Sequence, residues 1–313
     1  MHKDLLLLGS EALRKAAMNE NAKEYLIANP ILFNTLKKAA DRYIGGENLN
    51  ETITKVIKEN KRLFKCSIEF MGENTSTIEE ANKATNEFLR IVREINNQNL
   101  NATVSLDLSH IGLAISKDLA YENLSKICRE NPNIEVTISA EGINRTDDII
   151  DTYKKGSKSF ENLSITMQAY LYRSKDDFKE LVKEKGRIRI VKGAFETPKK
   201  LSIPRGEKLN SVYLDYIEYL LSNNHKCSIA THHHIIQEEA KKLINLYNPS
   251  NEMYEFESLY GIQTQQLINL KNEGYNTKLY FVYGKEWYLY LCNRVAEYPM
   301  NIFRALADIV DNT

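Results

Sequence analysis

The sequence lacks the features that would mark a strongly charged, disulfide-bonded or membrane-spanning protein. Its 313 residues include 42 basic and 42 acidic side chains, so no overall field favours nucleic acid or an anionic membrane. The four cysteines are scattered without a CxxC pair, which argues against a zinc site and is typical of reduced thiols in the cytoplasm. Four leucines near the start are too short a run for a signal peptide or a transmembrane segment.

The hydrophobic pattern changes near residue 63. Residues 3–60 show helical spacing with no strand signal, in segments at 5–17, 22–28, 30–43 and 50–63. From residue 64 onward, short strand-like runs alternate with longer amphipathic stretches. The predicted strands lie at 65–71, 102–108, 134–140, 163–169, 187–192, 226–231, 253–258 and 278–283.

The spacing of these strands predicts an α/β fold. Successive strands begin 24 to 39 residues apart, as expected of strand–helix units, and eight such units close into a (β/α)8 TIM-like barrel. We therefore predict an N-terminal helical arm over 1–63 and a barrel with a C-terminal closing helix over 64–313. A doubly wound sheet is the competing architecture, but it usually carries a Gly-rich first turn, and the chain has no GxGxxG motif.

Residues 187–196 combine an alternating apolar strand with a cationic turn. The alternation directs the isoleucines to one face of the strand. We predict that Arg189 and Lys192 lie together on the other face, where they would bind an anion. Gly193 allows a close backbone approach, and Ala194 adds no bulk beside a large cofactor. The alternative is an ordinary strand whose charges face water.

Two other strand ends carry polar groups suited to a cofactor. The amide of Gln168 donates and accepts at once, which suits the pyrimidine edge of a flavin ring, while Arg189 would stabilise the reduced anionic flavin. Three histidines in a row follow Thr231, but neighbouring strand residues point to opposite faces and do not share one ion. We predict no metal, and we interpret Thr231 and His232 as hydrogen-bond donors to the cofactor.

Eight short motifs, in order, resemble the FAD-dependent proline dehydrogenases, most closely the small monofunctional bacterial type. The resemblance covers nearly the whole chain. The motifs lie at 42–47, 71–74, 105–113, 168–173, 189–195, 230–232, 259–261 and 283–299.

This resemblance implies noncovalently bound FAD and hydride transfer to flavin N5 from the ring carbon beside the substrate nitrogen. It implies Arg189 and Ser139 as catalytic positions. The positions that match FAD contacts are Gln168, Arg189, Lys192, Gly193, Ala194, Thr231, His232, Arg294 and Glu297. For Arg294 and Glu297, a plain three-apart helix ion pair is the alternative interpretation.

The chain departs from the family in the half of the site that holds the substrate. Members hold the proline carboxylate with a lysine and two adjacent arginines, but Asp107 stands at the lysine position and Asn293 at the first arginine, which leaves Arg294. Ser139 replaces a family aspartate.

The aromatic residues of the substrate site are largely kept. Tyr280 and Tyr290 stand where the family has aromatic residues against the substrate ring. Phe195 keeps the aromatic after Lys-Gly-Ala but lacks a hydroxyl.

Charge reversal at Asp107 predicts a changed substrate. An attraction to a carboxylate becomes a repulsion, each about 4 kcal/mol at about 4 Å and an effective dielectric of about 20. We expect an amine or imino compound that lacks a free carboxylate or presents a cation to Asp107, such as a cyclic amine, an amide or ester, or a prolyl unit tethered to a carrier. The alternatives are an ordinary proline dehydrogenase with rearranged carboxylate contacts, and a flavin-binding protein without catalysis.

Partners follow from the flavin chemistry. An amine-reduced flavin needs an electron acceptor, a quinone or another oxidant. No basic amphipathic stretch is present to anchor the protein, and the apolar stripe at 300–310 is typical of core packing or a dimer contact. We expect a cytoplasmic location, with peripheral membrane association as the alternative.

Overall fold

The computed structural model describes residues 19–72, 75–193, 195 and 197–297, together with Leu8, Ala12 and Lys15. The predicted segment at 300–310 and residues 73, 74 and Ala194 lie outside the described residues. Most of the helix predicted at 5–17 also lies outside them.

Eight strands close into one barrel in sequence order, which confirms the predicted (β/α)8 fold. Their pairing is parallel, with Cys66 opposite Ala102 and Val104 opposite Val136. Every strand begins within two residues of its predicted start. The strands are β1 (Lys65–Phe70), β2 (Ala102–Leu106), β3 (Val136–Ile138), β4 (Leu163–Gln168), β5 (Ile188–Val191), β6 (Cys227–Ala230), β7 (Tyr254–Leu259) and β8 (Thr277–Tyr283).

Helices precede the barrel and follow each of its strands. Between residue 19 and β1, the described helices are α1 (Glu20–Ala28), α2 (Pro30–Asp41) and α3 (Leu49–Lys61). One helix then follows each strand: α4 (Ile78–Asn97), α5 (Lys117–Glu130), α6 (Thr146–Ser157), α7 (Ser174–Leu181), α8 (Glu207–Ser222), α9 (His234–Tyr247), α10 (Thr264–Asn272) and α11 (Trp287–Glu297).

The inward-facing residues of the barrel are polar, whereas branched apolar side chains usually fill this space in TIM barrels. Arg189 on β5 reaches Ser105 on β2 and Ser139 on β3, and such contacts between non-neighbouring strands run through the interior. The alternate strand residues, such as Ile188 and Ile190, are buried and apolar. The buried polar residues of the strands include Ser67, Thr103, Ser105, Thr137, Ser164, Thr166, Gln168, Arg189, Ser228, Glu255, Glu257 and Lys278.

One sequence expectation about β5 is wrong. Arg189 and Lys192 do not share a face, since Arg189 bonds inside the barrel while Lys192 Nζ donates to Asn210 Oδ1 on α8 at 2.8 Å. The reason is the two-residue period of a strand, which places residues three apart on opposite faces.

The chain divides into two compact units. One contains the described residues up to Lys55, Leu259–Ile262 and those from Phe281 onward, and the other contains Val56–Ser258 and Gln263–Tyr280. The predicted boundary at residue 63 stays a prediction. Within the first unit, the amide of Gly45 donates to Val282 O at 2.7 Å, and the ring centroids of Phe33 and Trp287 lie 5.1 Å apart.

Candidate active site

Arg189 lies at the centre of a buried polar cluster at the carboxyl ends of the strands, where TIM barrels place their active sites. Its Nε donates to Thr166 at 2.8 Å, one terminal nitrogen to Glu257 at 3.0 Å, and the other to Ser105 at 2.9 Å. A further bond of 3.2 Å joins it to Ser139. Each guanidinium nitrogen is therefore held, which fixes the orientation of the positive charge.

Tyr280 and Ser139 meet at one carboxylate. Glu69 Oε2 accepts a hydrogen bond from the Tyr280 hydroxyl and another from Ser139 Oγ at 3.0 Å. The Arg189 guanidinium lies 4.9 Å from the centroid of the Tyr280 ring. Burial and the charge of Glu69 raise the pKa of Tyr280 well above its usual range, so the phenol stays a neutral donor.

Asp107 lies beside two further carboxylates. Burial raises the pKa of its carboxyl well above the ordinary value, and the charges of Glu69 and Glu141 raise it further. The charges of Arg189 and Arg145 oppose this rise. The wall of the mouth at β1, β2 and β3 is therefore acidic, and we call Glu69, Asp107 and Glu141 the acidic wall.

Gln168 is fixed at the end of β4. Its side-chain Nε2 donates to the backbone carbonyl oxygen of Glu141 at 2.9 Å, and its backbone carbonyl oxygen accepts from Ser174 Oγ at 2.6 Å. Glu141 in turn accepts from the backbone amide of Ser109 at 2.9 Å. The side-chain amide predicted to face a cofactor is thus held through its nitrogen.

Basic groups gather on the outer side of the β5 turn. Burial and the charge of Arg205 lower the pKa of Lys192, and burial and the charge of Lys192 lower that of His233. His233 Nδ1 is buried and has no hydrogen-bond partner among the described residues. Arg205 donates to the carbonyl oxygen of Gly193 at 2.9 Å. This cluster of donors suits an anion.

Gly193 is required by its surroundings. Its φ of +111° favours glycine, and a Cβ there would lie 2.1 Å from the ring of Tyr170. The backbone therefore approaches Tyr170 more closely than any other residue would allow.

Thr231 and His232 directly follow β6, which ends at Ala230, one residue before its predicted end. Thr231 Oγ1 accepts from the amide of His233 at 3.1 Å, which leaves its hydroxyl hydrogen available for donation. Its carbonyl oxygen accepts from Gln237 Nε2 at 2.8 Å. His232 is half-buried.

The remaining predicted positions lie on α11, in the other unit. There the guanidinium of Arg294 lies 5.0 Å from the centroid of the Tyr290 ring. The side chains of Asn293 and Glu297 lie outside the described residues. Their proposed roles stay predictions.

Sequence reasoning did not assign roles to Glu69, Glu141, Glu257 or Lys278. The sequence did indicate a polar barrel interior, because polar residues recur at every second position of the strands. No motif identified which of these residues would be functional. In the described ranges, no group of three histidine, cysteine or acidic side chains is arranged to hold a metal ion. The same ranges contain no helix long and apolar enough to cross a membrane.

Known proteins resemble this chain over most of its length. A family sequence model described as proline dehydrogenase matches residues 52–299. The chain belongs to the proline dehydrogenase family. Proline dehydrogenase 2 of Bacillus subtilis is 35% identical over 266 residues, which is 84% of this chain and 88% of that protein. Proline dehydrogenase 1 of the same organism is 30% identical over 275 residues, 87% of this chain and 90% of that protein.

Solved structures show the same fold. Proline utilization A from Bdellovibrio bacteriovorus, inactivated by N-propargylglycine, matches 95% of this chain with a TM-score of 0.79 at 19% identity. This chain spans 37% of the length of that protein. The predicted resemblance to the flavin-dependent proline dehydrogenases, and with it the assignment as an oxidoreductase, is confirmed.

Proposed function

We propose that the protein uses FAD to oxidise the carbon next to the nitrogen of a proline-like cyclic or secondary amine that carries no free carboxylate. The proposal is supported by Asp107, which stands at the motif position where family members have a lysine for the substrate carboxylate, and by the charges of Glu69 and Glu141 beside it. The amine reacts in its neutral form: as the C–H bond breaks and hydride leaves with the bonding pair, the nitrogen lone pair forms the new C=N bond, and the resulting iminium carries the positive charge. When bound, FAD supplies the two-electron, hydride-accepting chemistry.

The described residues fit FAD. Its two phosphates need cationic and N–H donors, and Lys192, Arg205 and the unpartnered Nδ1 of His233 would provide them near the ends of β5 and β6. The ring needs a fixed amide and a fixed positive charge, and Gln168 and Arg189 provide these. Thr231 and His232 would add donors next to β6.

The residues of the mouth orient the substrate and control charge. Arg189, held on every nitrogen, presents a preorganised cation. Tyr280 packs its ring against that cation and would contact the apolar part of the substrate ring. Ser139, bonded to both Arg189 and Glu69, links the two charges.

The acidic wall favours a cationic or neutral guest. A bound carboxylate beside Asp107 would raise the pKa of that carboxyl still further, whereas a bound cation would lower it. Each unit-charge contact amounts to about 4 kcal/mol at about 4 Å and an effective dielectric of about 20, and to less where water screens it. A cyclic amine, an amide or ester, or a prolyl unit tethered to a carrier meets this requirement.

Anaerobic flavin reduction by pyrrolidine, prolinamide and proline tests the proposal. We expect a yellow protein whose flavin is bleached faster by pyrrolidine and prolinamide than by proline. Fastest reduction by proline would instead identify an ordinary proline dehydrogenase with rearranged contacts. A flavin that no amine bleaches would identify a binding protein, and a colourless protein would contradict the cofactor assignment. The oxidant that returns the flavin to its oxidised form, a quinone or another acceptor, is found by adding each to the bleached protein.

A further inference from the structure

A continuous line of ion pairs runs along the inside of the barrel below Arg189. Glu257 accepts from Arg189 at 3.0 Å through Oε1, and its Oε2 lies 3.0 Å from Lys278 Nζ. Lys278 also pairs with Glu255 at 2.5 Å. Glu255 then pairs with Lys65 at 3.1 Å at the other end of the barrel.

These groups are removed from water. Lys278 is 1% exposed, Glu255 and Glu257 are 3% exposed, and Arg189 is 4% exposed. Burial opposes the charge on Lys278, but Glu255 and Glu257 outweigh it and raise the pKa of the ammonium. Interactions between these charges are therefore screened far less than those at the surface.

We propose that Glu257 and Lys278 are positioning residues that set how much of the positive charge of Arg189 acts on the flavin. The negative charge of Glu257 partly neutralises Arg189 through one carboxylate oxygen. The positive charge of Lys278, paired with the other oxygen, weakens that neutralisation. This inference rests on the proposed function, in which the flavin binds beside Arg189.

The arrangement predicts opposite effects for two substitutions. Glu257→Gln keeps the shape and removes a negative charge, so the site becomes more positive and the reduced, anionic flavin gains stability. Lys278→Met removes a positive charge, so Glu257 offsets Arg189 more fully and the reduced flavin loses stability. The double variant removes both charges and leaves the net charge unchanged.

Flavin midpoint potential, measured for the holoenzyme, tests this inference. We expect at least a tenfold change in the relative stability of reduced and oxidised flavin, which is about 30 mV for a two-electron couple. The potential of Glu257→Gln should rise, that of Lys278→Met should fall, and that of the double variant should return toward the wild-type value.

Lys65→Met is the matched control. It removes a cation from the same line of ion pairs, but its partners are Glu255 and Glu135 rather than Glu257. We expect the protein to lose folding stability. The relative stability of reduced and oxidised flavin should change less than threefold.

The outcomes separate this inference from the proposed function. Shifts of the same sign in both single variants, or no shift, would contradict it while leaving the flavin assignment intact. If Glu257→Gln does not fold, the other two variants still test the inference. An unchanged midpoint potential in Lys278→Met would contradict it. A shift in the double variant as large as that in Lys278→Met would also contradict it. A wild-type protein without flavin would overturn the proposed function, and this inference with it.

Discussion

At the scale of the residue, the environment of Asp107 indicates which charge a bound molecule should carry. Its carboxyl is half-buried beside Glu69 and Glu141, and its pKa lies well above the ordinary value. A site that had evolved only for stability would not gather three carboxylates there. The electrostatic repulsion among these carboxylates is explained if the site binds a cationic or neutral molecule beside them.

Asp107→Asn should stabilise the protein at neutral pH. The raised pKa means that the folded protein binds more protons than the unfolded chain above about pH 4, so stability falls as pH rises through that range. The asparagine variant escapes this loss, which accumulates by at most about 1.4 kcal/mol per pH unit.

Urea denaturation of both proteins at about pH 3.5, 5 and 7 measures this effect. These values lie on both sides of about 4, the pKa of an aspartate in the unfolded chain. The difference between the two proteins should be small at the lowest pH and grow with pH. A wild-type protein that is the more stable of the two at pH 7 would contradict the account.

At the scale of the element, periodicity predicted the strands well because an alternating or fully apolar run of five or six residues has few other uses. The ends were less predictable. The strand expected at 134–140 is confined to Val136–Ile138, and just beyond it Glu141 bonds Gln168 and Ser109. The turn at Ser109–Leu113 was not predicted, since it depends on Gly112 adopting a φ of +116° against Leu119.

Helix α4 begins with a reciprocal capping box. Thr77 Oγ1 accepts from the amide of Glu80 at 3.2 Å, and the Glu80 carboxylate accepts from the amide of Thr77 at 3.1 Å. Thr77→Ala should lower the free energy of unfolding by about 1 kcal/mol, because it leaves an amide of the first turn without its partner.

Ser116→Ala on α5 is the control, because Ser116 caps Leu119 at 3.1 Å with no reciprocal bond. Its loss in thermal or urea denaturation should be smaller. Equal losses would show that the reciprocal bond adds nothing.

At the scale of the whole molecule, the barrel is held from inside by charges as well as by its apolar outer layer. Sequence alone does not pair them: Arg189 and Glu257 are 68 residues apart, and which strands face each other inside a closed barrel depends on register. Motifs located Gln168 and Arg189, but motifs do not reveal which carboxylate holds a buried cation.

Glu255→Gln should lower the free energy of unfolding by about 3 kcal/mol or more at pH 7, because buried cations lose their partner. Burial opposes its charge, yet Lys278, Arg187 and Lys65 hold its pKa well below the ordinary value. Such a group contributes stability above about pH 4.3, which is lost as pH falls through the folded pKa. The variant should therefore show a weaker acid dependence in urea denaturation.

Glu130→Gln provides the comparison at the surface, where Glu130 pairs with Arg93 at 2.7 Å. That exposed pair should contribute less than about 1 kcal/mol. A Glu255 variant that loses no more than the Glu130 variant would contradict a stabilising internal network.

The central claim is that the wall of the mouth around Asp107 selects against a carboxylate, and the ratio of flavin reduction rates for pyrrolidine and proline tests it in the wild type and in Asp107→Lys. Pyrrolidine should be the faster substrate of the wild type. The lysine should shift the ratio at least tenfold toward proline, a change in relative activation free energy of about 1.4 kcal/mol. A ratio that is the same in both proteins, or a wild type that already favours proline, would contradict it.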